Sequence, residues 1–307
     1  MSLVTASPAR RARGARGGAP LVGRSRRAGY LFVAGYVVLL LTFGIVPVCY
    51  AIWLSLTNSR HQLVGLGNFT RTFADYRFAT AFGDVMLYVL IWLTCLVVLV
   101  LTAALMLHGR LPRTSRALRF VYYIPGALAG AASVVLWLIL LDPADSPAAP
   151  LLRALGWNDI STVLLPAHLP VIFTVIAFWT GAGGWIIVMY GALNNIPVEL
   201  LEAARMDGAG VFQTALRIQL PMLRKWIAYM LILAFATGTQ LFVEPQLVYG
   251  ASNGLVSSSW SLNQMTLQYA FQANDFNGAA ALCVDLLVIG LLAAALVVFR
   301  AGLFERD

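Results

Sequence analysis

The chain has 307 residues, of which 60% are hydrophobic and only 11% are charged. Soluble globular domains have about a quarter of their residues charged, so this composition excludes a soluble domain and indicates an integral membrane protein. The formal net charge is +8. A basic balance can indicate a nucleic-acid partner, but the positions of the basic residues decide whether it does.

Six apolar stretches are long enough to cross a bilayer, which takes ~20 residues of α-helix. In chain order they cover residues 29–56, 79–107, 118–141, 169–195, 226–250 and 279–299. Stretches of this length exclude a barrel built from ~10-residue alternating strands. The sequence therefore predicts an all-α, polytopic membrane protein with six transmembrane helices in one domain, residues 29–300.

The two ends of the chain are polar. Segment 1–28 is dominated by Gly, Pro and Arg and has little to bury, so we expect a disordered basic tail. The apolar run that follows is much longer than the ~7–15 residues of a signal-peptide core, so we expect it to be retained as the first span. Residues 301–307 form a short C-terminal tail.

The basic residues are distributed unevenly between the connections. Seventeen of the 21 lie in the N-terminal tail, in the second and fourth connections and at the C-terminus. The other four are Arg60, Arg71, Arg77 and Arg153. Under the positive-inside rule, this bias predicts that both termini and the fourth connection are cytoplasmic in a plasma membrane. It explains the positive charge without a nucleic-acid partner.

Several spans contain prolines or closely spaced glycines. Pro47, Pro125 and Pro170 predict kinks, which membrane helices tolerate when neighbouring groups satisfy the freed backbone. Three small residues, Gly181, Gly183 and Gly184, fit either close helix packing or the wall of a cavity.

The two other long connections, residues 142–168 and 251–278, are rich in Pro or in Ser, Asn and Gln. The prolines predict an irregular connection at 142–168, and both connections are candidate outside surfaces for a partner or ligand. Cys49, Cys95 and Cys283 all lie in apolar segments without paired spacing, so neither a disulfide nor a metal site is predicted.

The fourth connection, residues 196–225, carries helix signals of its own. Pro197 suits a first helical position, and Gly208 supplies a stop, which predicts a short helix from Pro197 to Met206. A second apolar face follows, with helical spacing, at Val211, Phe212, Ala215 and Leu216. Small residues at the turn leave room for a partner surface, although spacing alone fits a plain surface loop equally well.

Within this connection, Glu202-Ala203-Ala204, Asp207-Gly208-Ala209 and Ile218-x-Leu220-Pro221 resemble the EAA motif of binding-protein-dependent ABC importer permeases. Residues 191–200 are similar to the carbohydrate-type branch of that family, which takes up sugars or glycerol phosphate. Two further matches are Gly65-Leu66-Gly67-Asn68-Phe69 and the segment 269–280. The chain departs from the family pattern at residues 84–85 and 249–254.

The resemblance implies a type I importer fold and a non-catalytic role, with no cofactor on this chain. ATP and Mg would be bound by a separate cytoplasmic ATPase dimer, since the chain has no G-x-x-x-x-G-K-[ST] motif. The other implied partners are a second permease subunit, forming a heterodimer, and an external solute-binding protein. The residues that the resemblance assigns to ATPase coupling are Glu202, Ala203, Ala204, Asp207, Gly208, Ala209, Ile218, Leu220 and Pro221.

Aromatic and polar residues inside the spans are candidates for the solute path: Trp179, Thr180, Trp185, Thr237, Gln240 and Glu244. An uncharged sugar is favoured because no Lys or Arg lies in the middle of a span. The alternative reading is an ion-coupled secondary transporter in which Asp84 and Asp285 form a relay, because intramembrane acids are usually functional. A membrane-embedded enzyme is disfavoured, since the chain has no H-E-x-x-H or G-x-S-x-G motif.

Overall fold

The computed structural model describes residue 30 and residues 33–109, 112–128 and 130–301. The predicted tails 1–28 and 301–307 lie outside these residues, except for the backbone of residue 301. Over the described ranges the chain is helical, and its only strand-like feature is an isolated bridge between Thr57 and Leu63. This agrees with the prediction of an all-α protein.

In chain order the helices are α1 (Val33–Ser55), α2 (Gly67–Phe73), α3 (Tyr76–His108), α4 (Pro112–Tyr123), α5 (Ala131–Leu141), α6 (Ala149–Ala154), α7 (Ile160–Val163), α8 (Leu169–Leu193), α9 (Val198–Met206), α10 (211–222), α11 (Arg224–Gly238), α12 (Val243–Ala251), α13 (Leu262–Leu267) and α14 (Phe276–Ala301). Five units are long and apolar enough to cross a membrane: α1, α3, α8, α11 with α12, and α14. The bent pair α4 and α5 supplies a sixth span, as predicted.

The centre of the bundle is the contact between α3 and α8. On α3 the buried residues recur every three or four positions, as in Val85, Tyr88, Trp92 and Leu96, so one face of the helix is covered by its neighbours. The Tyr88 ring meets Phe173 of α8 edge-on, with 6.5 Å between ring centroids. Other spans pack against this pair of helices.

The third span, predicted over residues 118–141 with a kink at Pro125, is broken. A 3₁₀ turn, Ile124–Ala127, separates α4 from α5, and the two helices meet at 98°. Pro125 lies in that turn, which confirms the predicted kink. The break packs on α8 at Gly183, where an added Cβ would lie 2.0 Å from the Tyr122 carbonyl oxygen. Gly183 therefore permits close backbone approach.

The fifth span is also interrupted, although the sequence predicted a single helix over residues 226–250. Helix α11 ends at Gly238 and α12 begins at Val243, which leaves four residues of non-helical backbone inside the span. Irregular backbone at membrane depth is tolerated where it lines a cavity or is buried in protein. Pro170 lies in the first turn of α8 and produces no kink there, contrary to the prediction.

Two asparagines join three segments at the end of the bundle opposite α9 and α10, called the distal end below. Asn68 of α2 donates from Nδ2 to the Ser55 and Thr57 carbonyl oxygens, each at 2.8 Å. Asn277 of α14 donates to the carbonyl oxygens of Leu54 and Thr57 at 3.0 and 2.8 Å. The last carbonyls of α1 lack partners within the helix, and these two side chains supply them.

Charged groups reinforce the same distal end. Arg71 pairs with Asp275 at 2.6 Å, and Arg77 pairs with Asp75 at 2.7 Å. The Tyr269 hydroxyl also donates to Asp75, at 2.8 Å. The hydrogen bonds from Arg77 hold the pKa of the Asp75 carboxyl well below its ordinary value, so this carboxylate stays charged and locks the connection before α3 to the segment before α14.

The connections at 142–168 and 251–278 contain helices, so the expectation of an irregular segment at 142–168 was wrong in part. Helices α6 and α7 lie in the first connection, and α13 with the π-helical turn Gln268–Gln272 lies in the second. Trp260 is only 3% exposed. Leu262 and Met265 pack with Leu282 of α14 in a second apolar cluster, because their spacing of three residues puts them on one face of α13.

Candidate coupling surface and intramembrane cavity

Helix α9 begins one residue later than the sequence predicted. Pro197 is the N-cap and α9 starts at Val198. Glu199 lies in the first turn, where a carboxylate faces the positive end of the helix dipole. The helix runs to Met206, as predicted. Glu202 and Ala203 are exposed, while Ala204 is buried against the bundle.

Asp207-Gly208-Ala209 ends α9 in a Schellman motif. The Gly208 N–H donates to the Arg205 carbonyl oxygen at 3.0 Å, and the Ala209 N–H donates to that of Ala204 at 2.9 Å. This pair of hydrogen bonds needs a residue with left-handed backbone conformation after the C-cap, and Gly208 has φ +79°. Asp207 is the C-cap residue. The requirement for glycine is therefore conformational, since no atom lies within 4 Å of an added Cβ.

Helix α10 returns the chain to the membrane with a wide turn in its middle. It consists of Val211–Thr214, a π-helical stretch Ala215–Gln219, and Leu220–Met222. Pro221 lacks a backbone N–H, and a π-bulge is one way for a helix to absorb such a defect. Ile218 and Leu220 are half-buried, and Leu220 packs against the main core, so the end of α10 is anchored to the bundle.

Large apolar side chains are exposed around the turn between α9 and α10. Met206 is 87% exposed, Val211 91% and Phe212 76%. This segment lies between spans rather than within one. Contiguous exposed apolar groups on a polar segment mark an interaction site. We refer to these three residues as the apolar tip.

Beside the apolar tip, the small side chains of α9 leave a hollow of about 310 Å³. Its wall includes Ala203, Ala204 and Ala209, with Asp207 and Arg217 at its polar part. The structure therefore brings most of the predicted coupling residues to one surface. Ile218 also lines the hollow, whereas Leu220 and Pro221 lie further along α10.

A second cavity, of about 290 Å³, lies inside the span region at the break between α11 and α12. It brings together four of the predicted solute-path residues: Thr180, Thr237, Gln240 and Glu244. Sequence reasoning missed Tyr88 and Trp92 of α3, which also line it. The two rings are stacked, with centroids 6.0 Å apart and planes 5° apart. Their spacing of four residues on one helical face was the available signal.

Some hydrogen-bonding groups of this cavity already have partners within the protein, and others do not. The Thr180 hydroxyl donates to the Ile176 carbonyl oxygen at 3.0 Å, and that of Thr237 donates to the Leu233 carbonyl oxygen at 3.0 Å, which leaves both oxygens free to accept. The indole N–H of Trp92 is buried and finds no hydrogen-bond partner among the described residues.

The other two predicted solute-path residues lie elsewhere. Trp179 meets Trp137 edge-on at 5.9 Å and lines a separate apolar hollow between α3, α4, α5 and α8. Trp185 packs against Tyr229 at 6.0 Å. Asp84 on α3 and Asp285 on α14 share no hydrogen bond in the described part of the chain, and neither lines the Glu244 cavity.

Six apolar spans, a cavity with polar groups at a broken helix and an exposed apolar tip between spans are typical of a membrane transport component. The family model described as binding-protein-dependent transport system inner membrane component matches residues 101–304. The chain belongs to this family. It is a permease subunit of an ABC importer and is located in the inner membrane of a prokaryote.

Relatives cover almost the whole chain. The probable ABC transporter permease protein YurN of Bacillus subtilis is 27% identical over 281 residues, 88% of this chain and 94% of YurN. The diacetylchitobiose uptake system permease protein NgcF of Streptomyces coelicolor is 27% identical over 289 residues, 87% of this chain and 80% of NgcF. The sn-glycerol-3-phosphate transport system permease protein UgpA of Escherichia coli is 28% identical over 287 residues, 91% of this chain and 95% of UgpA.

Solved structures share the fold. A chain in the crystal structure of a bacterial ABC transporter involved in the import of the acidic polysaccharide alginate superposes with a TM-score of 0.75 at 18% identity. The superposition covers 93% of this chain and 99% of that one. A second crystal structure, of a bacterial alginate ABC transporter in complex with an alginate pentasaccharide-bound periplasmic protein, gives a TM-score of 0.74.

Proposed function

We propose that α9, the apolar tip and the hollow beside it form the surface that a separate cytoplasmic ATPase binds. The observation that carries this proposal is the exposure of Met206, Val211 and Phe212 on a segment outside the spans. ATP and Mg are bound by that ATPase, and this chain takes no part in the chemistry. The same proposal puts both termini and the 196–225 connection on the cytoplasmic side.

The hydrogen-bonded end of α9 suits this role because it transmits force. Two backbone hydrogen bonds close the Schellman motif, and Leu220 anchors the end of α10 in the core. Closure of an ATPase pair on α9 would therefore displace rigid elements, which move the spans in a domain-level gating step. Glu202, exposed on α9, pairs in this proposal with a basic or N–H group of the ATPase.

The cavity at the break between α11 and α12 forms this subunit's part of the solute path. Stacked aromatic rings at Tyr88 and Trp92, with a few polar groups, are typical of small-molecule sites. Carbohydrates present both C–H faces and hydroxyls, which fits this mixture. We place the external solute-binding protein at the distal end, and a second permease subunit supplies the other half of the path.

Removing the apolar tip's ring tests the docking surface. Burial of a phenylalanine contributes ~1.5–3 kcal/mol, so Phe212→Ser should weaken ATPase binding at least tenfold. The measurement is the yield of ATPase that co-purifies with this chain from its host. Phe271→Ser is the matched control, because Phe271 is 74% exposed but lies at the distal end. Equal ATPase yields from the two variants would contradict the proposed docking surface.

Energy coupling separates the proposal from an ion-coupled secondary transporter. Solute uptake by host cells should stop when ATP is depleted and persist when an uncoupler collapses the ion gradient while ATP is maintained. The reverse pattern would support a secondary transporter and refute coupling through an ATPase.

A further inference from the structure

From the charge of its cavity we infer that the transported carbohydrate has no phosphate or carboxylate group, and that Glu244 accepts a hydrogen bond from its hydroxyl or amino group. This inference rests on the proposed solute path and adds the chemical class of the solute. It separates this chain from relatives whose names specify an anionic solute, such as the sn-glycerol-3-phosphate permease UgpA.

The cavity has an acid and no base. Glu244 is the one charged side chain among the described residues that line it, and none of those lining residues is Lys, Arg or His. Phosphate and carboxylate sites in proteins are built from Arg, Lys or backbone N–H groups. An anionic sugar would meet the Glu244 carboxyl group and would find no compensating cation among the described lining residues.

Helix α12, which lies next to the cavity, also disfavours an anionic solute. Helix α12 has nine residues and begins at Val243, so its N-terminus opens at the cavity. A bare helix N-terminus attracts anions through its free N–H groups and its dipole. Here Glu244 lies in the first turn and occupies that positive end with its own carboxylate. The one feature of the break that favours an anion is therefore already neutralised.

The remaining polar groups complement an uncharged polyol. Gln240 provides donors, while Glu244 and the hydroxyl oxygens of Thr180 and Thr237 provide acceptors. Hydroxyl groups both donate and accept, so a sugar satisfies both sets, whereas a fully ionised phosphate or carboxylate group only accepts.

The test is uptake by the host strain, with this chain deleted and then restored. The radiolabelled probes are diacetylchitobiose, cellobiose, glucosamine, sn-glycerol 3-phosphate and an oligouronate. Deletion should remove uptake of an uncharged or amine-bearing sugar and leave both anionic probes unaffected. Loss of anion uptake on deletion would overturn the inference but leave the importer assignment intact. If deletion changes uptake of no probe, the proposed carbohydrate path is refuted and the inference falls with it.

Variants of Glu244 test its role as an acceptor. Hydrogen bonds to a charged group are the stronger kind, so Glu244→Gln should lower the initial uptake rate of the sugar about tenfold, and Glu244→Lys should abolish it. Asp84→Asn is the matched control, because it also removes a carboxylate from a span but outside the cavity lining. Co-purified ATPase at wild-type yield will show that each variant is folded. Uptake by Glu244→Gln within twofold of wild type would overturn the inference.

Discussion

Replacement of Gly208 by valine perturbs the proposed ATPase-binding surface, although the added Cβ meets no neighbouring atom within 4 Å. Gly208 has φ +79°, a conformation that β-branched residues rarely adopt. Holding such a residue there costs ~1–3 kcal/mol. Relief of the strain requires Gly208 and Ala209 to break their hydrogen bonds to the Arg205 and Ala204 carbonyl oxygens.

A cost of this size shifts the population of the native C-cap by roughly 5- to 150-fold. We therefore expect Gly208→Val to reduce co-purified ATPase and transport-coupled ATP hydrolysis by a factor in this range, with normal membrane insertion. Gly210→Val is the matched control. Gly210 has φ −70° and also has open space around an added Cβ, so valine is tolerated there.

The comparison isolates backbone conformation from side-chain bulk, since both variants add the same group two residues apart. If Gly208→Val retains the ATPase at wild-type yield, the Schellman motif is not needed for docking. If Gly210→Val loses as much ATPase as Gly208→Val, bulk at the turn matters more than the left-handed backbone, and the conformational reasoning is wrong.

Two further substitutions test the packing and the charged groups of the bundle. Gly183→Ala places a Cβ 2.0 Å from the Tyr122 carbonyl oxygen and should lower the free energy of unfolding by ~1–3 kcal/mol. The measurement is a lower Tm in detergent. Gly184→Ala is the control, because its added Cβ meets nothing within 4 Å and should leave Tm unchanged. Asp75→Asn should lower Tm at pH 7. Because Arg77 lowers the pKa of Asp75, this contribution is lost as pH falls below ~3.9, so the gap to wild type should narrow in acid.

Hydropathy was sufficient to find the spans, because a run of ~20 apolar residues has few alternatives to crossing the bilayer. It was insufficient to find the breaks. The four residues between Gly238 and Val243 contain no Pro or Gly that would signal a break. Pro125 was a local signal for the other break, but not for its 98° angle.

The two candidate sites differ in how far the sequence specifies them. The coupling surface is local in sequence, so caps and helical spacing placed α9 within one residue and placed Gly208 at its end. The cavity is assembled from α3, α8, α11 and α12, and membership depends on which faces meet. Glu244 was recognisable as an intramembrane acid, but the inclusion of Tyr88 and the exclusion of Trp179 followed from packing alone.

The bond from Asn277 to the Thr57 carbonyl oxygen has a consequence for biosynthesis, because 220 residues separate the two partners. A ribosome must complete nearly the whole polypeptide before this joint can close. Until then Asn68 alone of these two asparagines can bond the carbonyl oxygens at the end of α1. Nascent chains that stop before α14 should therefore have a less ordered distal end, which quality-control proteases can recognise in unfinished copies.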